Sequence, residues 1–180
     1  MAIKKIEYLI ICILIIGIVG IGLYSILSNY ENIKHFEGSN ISFDYPKTWS
    51  FGGYTDNIVV AQNDNPMASL SMRLHFAAPG TLDSSRQAAL YEAKELKTPV
   101  LIDKTIEIDG EKAIYIATKS NDGFEYATII FYKNGKEYDF MFAAKNITEI
   151  ESDINTITNS FHIKTEDENG LWEFLSSLFN

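Results

Sequence analysis

The side chains of this sequence that could do acid–base or metal chemistry are few and far apart. Its three histidines are His35, His75 and His162. Proton transfer needs such groups within hydrogen-bonding distance of one substrate, so the fold would have to gather them from separate elements. The motifs of serine hydrolases, zinc proteases, phosphate-binding loops and thiol oxidoreductases are missing after the N-terminal segment. We therefore expect no enzyme, no catalytic residue and no cofactor; a hydrolase with dispersed residues is the alternative.

Two short acidic stretches contain the oxygen ligands that a hard cation prefers. Residues 166–170 read Glu-Asp-Glu-Asn-Gly, without the alternating ligands and terminal glutamate of a calcium-binding loop. Residues 63–65 read Asn-Asp-Asn before Pro66, which is typical of a turn. The only cysteine, Cys12, lies in an apolar run, where it serves no disulfide or zinc site. We therefore expect no metal.

The charge of the chain argues against one class of partner. Its 24 acidic residues outnumber its 15 lysines and arginines, which gives a formal net charge of −9. A negative field repels phosphate backbones, and no basic stripe is present to override it locally. We expect no nucleic acid among the partners.

The last ten residues, 171–180, are called here the apolar tail. A helix would bring several of its large apolar side chains together, but so short a helix is marginal unless it docks on another surface. It can pack on its own domain, contact a partner protein, or lie in a membrane interface. The candidate partner-contact residues are Trp172, Phe174, Leu175, Leu178 and Phe179.

Two triplets fit the acceptor pattern for N-glycosylation. They begin at Asn40 and Asn146, which are followed two residues later by Ser42 and Thr148. Modification is open to them only if the domain lies outside the cytoplasm.

A membrane anchor is predicted near the N-terminus. Residues 8–27, from Tyr8 to Leu27, are uncharged and free of proline, about the length that crosses ~30 Å of hydrocarbon. Lys4 and Lys5 precede them, so the positive-inside rule places the N-terminus in the cytoplasm and the rest outside the cell membrane. We expect a single-pass signal-anchor in residues 1–30, a domain in 31–164, and an acidic linker with the apolar tail in 165–180.

Two other interpretations of the apolar run stay open. A cleaved signal peptide has a shorter apolar stretch, followed by a cleavage site of small residues. Here the corresponding position after the apolar stretch contains Ile26 and Leu27. A type IV pilin would begin near Ala2, with Glu7 in the mature helix.

Short alternating segments separated by turn residues predict strands after residue 32. We expect strands over 33–36, 41–45, 57–62, 68–77, 101–108, 112–120, 123–133 and 136–144, joined by tight turns at Asp109-Gly110, Asn121-Asp122-Gly123 and Asn134-Gly135. A helix over 83–97 is predicted, capped by Thr81 or Asp83. A last helix begins near Asn146 or Thr148 and carries an apolar stripe at residues 147, 150, 154, 157 and 161.

This order of elements predicts an α+β fold, an antiparallel β-sheet covered by helices. Six aromatic residues are expected on one face of the second half of that sheet. They are Phe124, Tyr126, Tyr132, Tyr138, Phe140 and Phe142.

Four short motifs, spread over about residues 33–164, resemble the PsbP-like family. They are Phe43-x-Tyr45-Pro46-x-x-Trp49, Ile108-x-Gly110-x-x-Ala113, Ile129-x-Phe131 and Ile157-x-x-x-Phe161. The chain looks most similar to the membrane-anchored members of methanogenic archaea. The resemblance implies an α/β/α sandwich that binds rather than catalyses. Only fold-forming positions match, so the resemblance carries over no functional residue.

The sequence thus predicts a membrane-anchored, extracytoplasmic binding or assembly module for a protein partner. Small-solute binding is the alternative, favoured by the many aromatic residues on the strands. A pilin-like subunit is the third.

Overall fold

The computed structural model describes residues 32–55, 58–76 and 80–165. These residues form ten strands, two α-helices and one short 3-10 helix. The predicted span over residues 8–27 and the apolar tail lie outside them. Among the described residues no helix is long and apolar enough to cross a membrane.

The first half of the domain is rich in strands and ends with one helix. In chain order the elements are β1 Ile33–Glu37, β2 Ile41–Pro46, β3 Trp49–Thr55, β4 Ile58–Asp64, β5 Met67–Phe76 and α1 Leu82–Glu95. The second half contains β6 Val100–Ile108, β7 Glu111–Lys119, β8 Glu125–Lys133, β9 Lys136–Ala144, the 3-10 helix Ile147–Ile150, α2 Glu151–Ser160 and β10 His162–Ile163.

A seven-stranded antiparallel sheet dominates the domain, in the order β3-β4-β5-β9-β8-β7-β6. The meanders β3–β5 and β6–β9 meet where β5 pairs with β9. Asp109, Gly110, Asn134 and Gly135 all have positive φ, between 52° and 80°. This geometry suits the two-residue hairpin turns that fit the twist of paired strands, and confirms two of the three predicted turns, Asp109-Gly110 and Asn134-Gly135.

The structure contains strands that the sequence patterns did not predict. No strand was predicted between residues 45 and 57. In the structure β3 lies there, and a β-bulge between Phe51 and Gly53 absorbs an extra residue, so β3 pairs with β4 on both sides of it. β10 is only two residues long, too short for a periodic signal. It pairs with β2, and with β1 they form a separate three-stranded sheet.

The core lies on one face of the large sheet, called here the inner face. The predicted apolar stripe of the last helix is buried there, with Ile147, Ile150, Ile154, Ile157 and Phe161 at most 3% exposed. Its first part is a 3-10 helix, which the side chain of Asn146 caps by accepting from the Thr148 amide at 3.0 Å. The core prediction for this segment is therefore confirmed.

The opposite, outer face of the large sheet is only partly covered. α1 packs there over β7 and β8, and Ala93 is its one buried residue among those described. Thr81 caps α1 as predicted, in a reciprocal capping box with Ser84. The helix ends at Glu95, before Lys97, whose positive φ of 55° is incompatible with a continuing helix.

The prediction of one aromatic face was wrong. Tyr138, Phe140 and Phe142 are buried on the inner face. Tyr126 pairs with Ala143 in the β8–β9 hairpin. Because side chains alternate along each strand, this register turns Tyr126, like Phe124 and Tyr132, to the outer face. The hairpin turns fix which aromatic residues enter the core.

Candidate functional site

Two of the three histidines, His35 and His162, have different carboxylate partners. His35 lies on β1, with Nδ1 2.7 Å from Asp44 Oδ1 and Nε2 2.9 Å from Glu37 Oε2. Hydrogen bonds from the ring to the carboxylates of Asp44 and then Glu37 raise the pKa of His35 above its ordinary value. The ring is 56% exposed, which leaves it in water rather than in a pocket.

His162 lies on β10 and has a different carboxylate partner. Its Nδ1 is 2.9 Å from Asp109 Oδ1, while the Asp109 carboxylate also accepts from Lys133 Nζ at 2.7 Å and from the Ile163 amide at 3.0 Å. These contacts fasten the β6–β7 turn to the last strand.

The remaining histidine, His75, belongs to β5. In the described part of the chain, no group of three or more histidine, cysteine or acidic side chains is arranged to hold a metal ion.

The most distinctive surface is the part of the outer face that α1 leaves open, formed by β3, β4, β5 and β9 and called here the open half. Its apolar side chains point into solvent: Ile58 is 45% exposed, Val60 43%, Met141 37% and Met67 54%. The registers place Val60 opposite Ser71, and Ser71 opposite Met141. Apolar and small polar residues thus lie side by side on this face, with Arg73 and Asp139 paired beside Ile58.

A groove lies between α1 and the sheet, on the border of the open half. Ala89, Ala93 and Leu96 form its helical side, while Thr128 and Met141 belong to the strands opposite. Its volume is about 320 Å³. Small residues on α1 keep the helix from filling the space above the sheet, so we call it the α1 groove.

A second hollow of about 310 Å³ continues along the same face, between the β4–β5 turn and Phe124. Ser69 and Ala143, which pair across β5 and β9, both line it. Lys145 Nζ lies 3.9 Å from the centroid of the Phe124 ring. The α1 groove and this hollow are neighbours on the same face, since Ala143 of the hollow pairs with Tyr126 of the groove, and together they are called here the trough.

Acidic residues accompany the trough. Glu92 lines the α1 groove and Asp64 lines the second hollow. Tyr126 donates a 3.0 Å hydrogen bond to Asp122 Oδ2. A partner for this surface would combine apolar side chains with positive charge.

The inner face offers much less room. Where the small sheet meets the large one, an apolar crevice lies beside Ile41, Leu74 and Phe161, with an interior of only about 20 Å³. Ligand pockets usually measure roughly 300–1,000 Å³. This end crevice is therefore too small to enclose a solute.

The two glycosylation triplets differ in their setting. Asn40 is exposed in the β1–β2 turn. Asn146 is half-buried, and its Oδ1 accepts from both the amide and the hydroxyl of Thr148, at 3.0 and 2.6 Å. The candidate contacts Trp172, Phe174, Leu175, Leu178 and Phe179 lie outside the described residues.

Sequence patterns did not single out the open half. One signal was present, because Ile58-Val59-Val60-Ala61 is apolar at every position, whereas a strand with one wet face alternates. Val59 and Ala61 fill the core, and the other two residues are left exposed. The unbroken apolar run on β4, next to the edge strand, thus marks a surface that is available for contact.

The fold matches solved structures at low sequence identity. Cyanobacterial PsbP (CyanoP) of Synechocystis sp. PCC 6803 has a TM-score of 0.54 at 14% identity, over 74% of this chain and 93% of that one. The Ran-binding protein Mog1p of Saccharomyces cerevisiae has a TM-score of 0.52 at 13% identity, over 73% of this chain and 95% of that one.

A protein of Bacteroides thetaiotaomicron has a TM-score of 0.50 at 12% identity over 76% of this chain, which spans half of that protein. No protein-family model matches this sequence. No curated protein matches it. At these identities the likeness shows the fold alone, and the described domain has the PsbP- and Mog1-like fold, an antiparallel sheet with two helices.

Proposed function

We propose that this protein is a non-catalytic binding module whose open half contacts a partner protein. The single observation that carries the proposal is the exposure of Ile58, Val60, Met67 and Met141 on one sheet face beside the α1 groove. Exposed apolar residues grouped on one face mark interaction sites more often than apolar residues scattered singly over a surface do.

The composition of the surface supports a protein partner over a small solute. Ser69, Ser71 and Ala143 are small, so another backbone or helix can approach the sheet closely. Exposed apolar residues can supply the desolvated centre of an interface, while the acidic side chains Glu92 and Asp64 belong to a polar rim. With a net charge of −9, we infer that the partner presents lysine or arginine around an apolar patch.

We further propose that residues 8–27 hold this module at the outer side of the cell membrane. The support is the length of the apolar run and the position of Lys4 and Lys5 before it. A tether confines the module to the surface where it meets its partner. That raises the effective concentration of a weak binder.

The proposed function is tested by crosslinking the full chain in intact cells and identifying captured proteins by mass spectrometry. The test variant is Val60→Glu with Met141→Glu. Both side chains are already exposed, so the charged replacements should leave the packing of the core unchanged. The matched control is Tyr91→Glu, which is 65% exposed on the side of α1 away from the groove.

We expect the wild type and Tyr91→Glu to capture the same defined protein. The double variant should capture at least tenfold less of that protein than the wild type does, while its melting temperature stays the same as that of the wild type. Equal capture by all three proteins would refute the open half as the contact surface.

A second candidate is binding of a small solute in the α1 groove, favoured by its volume of about 320 Å³. It predicts a ligand-induced rise in melting temperature that is abolished by Ala93→Met, which narrows the groove from the helix side. A partner-binding module shows no such rise with small solutes.

A further inference from the structure

The methionines of this chain lie in two different environments. Three of its four methionines are among the residues that the structure describes. Met72 is 3% exposed and belongs to the core, whereas Met67 is 54% exposed and Met141 is 37% exposed. Two methionine side chains are therefore open to solvent, and the third is enclosed by protein.

The strand register places both exposed methionines on the open half. Side chains alternate along β5, so Met67 lies on the outer face and Met72 on the inner face. Met141 of β9 pairs with Ser71, which lies four residues, or about 13 Å, beyond Met67 on β5. Met67 lines the second hollow and Met141 lines the α1 groove. Each part of the trough thus has one exposed methionine.

Methionine gives a contact surface two properties. Its unbranched side chain adapts to the shape of a partner, which makes it frequent at binding surfaces. Its sulfur can also be oxidised to a sulfoxide, which is polar and chiral. A buried sulfoxide without a hydrogen-bond partner costs free energy, so oxidation weakens an interface that encloses the methionine.

No thiol in the described domain competes with these methionines for an oxidant. The only cysteine of the chain, Cys12, lies in the apolar N-terminal run. Among the residues that the structure describes, methionine is therefore the sulfur that reversible oxidation can reach.

We propose that Met67 and Met141 are reversible oxidation sites that regulate binding at the open half. The oxidant is a peroxide. The methionine sulfur attacks one peroxide oxygen, the O–O bond breaks as the S–O bond forms, and hydrogen peroxide is reduced to water. A sulfoxide reductase restores the thioether, with the oxygen released as water and a dithiol oxidised to a disulfide.

This inference rests on the proposed function, because the open half must be the contact surface for its oxidation to release a partner. Oxidation turns an apolar side chain polar in both parts of the trough. Met72 stays reduced in the core, so the domain remains folded while its contact surface changes.

The first test maps oxidation in cells that express the full chain and are treated with dilute hydrogen peroxide. Peptide mass spectrometry measures the sulfoxide at each position. We expect Met67 and Met141 to be oxidised at least about tenfold faster than Met72, because oxidation follows exposure. Equal rates at the three positions would overturn the assignment of the two sites.

The second test measures capture of the partner by crosslinking before and after oxidation. Wild-type capture should fall by about fivefold or more, because the contact must then bury a polar group. Treatment of permeabilised cells with a dithiol and the reductases for both sulfoxide epimers should restore it. The melting temperature of the oxidised protein should stay the same as that of the reduced protein.

The variant for this test is Met67→Leu with Met141→Leu, which keeps apolar side chains of similar volume and removes both sulfurs. It should capture the partner as the wild type does and stay insensitive to peroxide. Met72→Leu is the matched control, and it should remain as sensitive as the wild type.

Three results would overturn the regulation: unchanged wild-type capture when both methionines are oxidised, an equal loss of capture in the double leucine variant, or unfolding of the oxidised protein. A wild type that captures no partner before oxidation would instead refute the proposed function, and the regulation with it. The ratio of oxidation at Met67 to that at Met72 would still decide the assignment of the modification sites.

Discussion

The indole of Trp49 donates a 2.7 Å hydrogen bond from Nε1 to Asp153 Oδ2. Trp49 starts β3 and is 3% exposed, and Asp153 lies in the first turn of α2. A large apolar side chain thereby keeps its one polar atom satisfied while it fills the core. This bond joins the outermost strand on one side of the large sheet to the helix that covers it.

The first prediction follows from that bond. Asp153→Ala leaves the buried indole N–H without its acceptor, so it should lower the free energy of unfolding by about 2 kcal/mol. Urea denaturation measures the change. Asn155→Ala, at an exposed position of the same helix, is the control and should differ from wild type by less than about 0.5 kcal/mol. Equal losses in the two variants would contradict the role given to the bond.

The second prediction concerns acid stability and Asp109. Burial raises the pKa of its carboxyl group, but hydrogen bonds from Lys133, His162 and the Ile163 amide outweigh burial and leave the pKa below the ordinary 3.8. A carboxyl group whose pKa is lowered by folding stabilises the protein above its unfolded pKa. That stabilisation is lost as the pH falls through the folded value.

Asp109→Asn is the variant of choice because asparagine also tolerates the positive φ of 52°. It should be less stable than wild type at pH 7, and its stability should fall less steeply below pH 4. Urea denaturation midpoints measured from about pH 2.5 to about pH 7 cover the range in which a carboxyl group titrates. They give both the loss of stability and its pH dependence. Glu107→Gln, exposed on β6, serves as the control. If the stability of Asp109→Asn and that of wild type fell equally steeply at acid pH, the Asp109 carboxylate would not be the source of this pH dependence.

The third prediction tests the packing of the β1–β2 turn. A Cβ at Gly38 would come within 2.5 Å of the Tyr54 hydroxyl oxygen, which is itself 2.8 Å from the Ser39 amide nitrogen. Gly38→Ala should therefore displace Tyr54 and destabilise the domain by about 1–2 kcal/mol. Gly52→Ala has open space around the new Cβ and should be nearly neutral. Thermal melts of the two variants give the comparison, and similar melting temperatures would contradict it.

The fourth prediction tests the membrane orientation. If residues 31–180 lie outside, expression in a glycosylating host should modify Asn40, which is exposed, more than Asn146, whose side chain caps the 3-10 helix. The loss of an endoglycosidase-sensitive band in Ser42→Ala, but not in Thr148→Ala, measures this. Lys4→Glu with Lys5→Glu removes the positive charges before the anchor and should reduce the modification. An unmodified wild type would count against the external location.

Local signals in the sequence predicted most elements of this domain. Glycine and asparagine at tight turns, a threonine before the first helix and a stripe of isoleucines in the last one depend on backbone preferences that neighbouring residues determine. Trp49 shows where such local signals fail. No strand was predicted over its segment, between residues 45 and 57, and only pairing with β4 across a bulge makes that segment a strand.

The sequence by itself determined the acidic charge, the apolar N-terminal run, the antiparallel character of the sheet and the absence of catalytic motifs, because each depends on residue types or short-range order. The tertiary structure decided which aromatic residues enter the core, that His35 and His162 bind separate carboxylates, and that Ile58 and Val60 remain exposed. Those outcomes depend on strand register and on how far α1 extends over the sheet. Both are set by contacts between residues far apart in the chain.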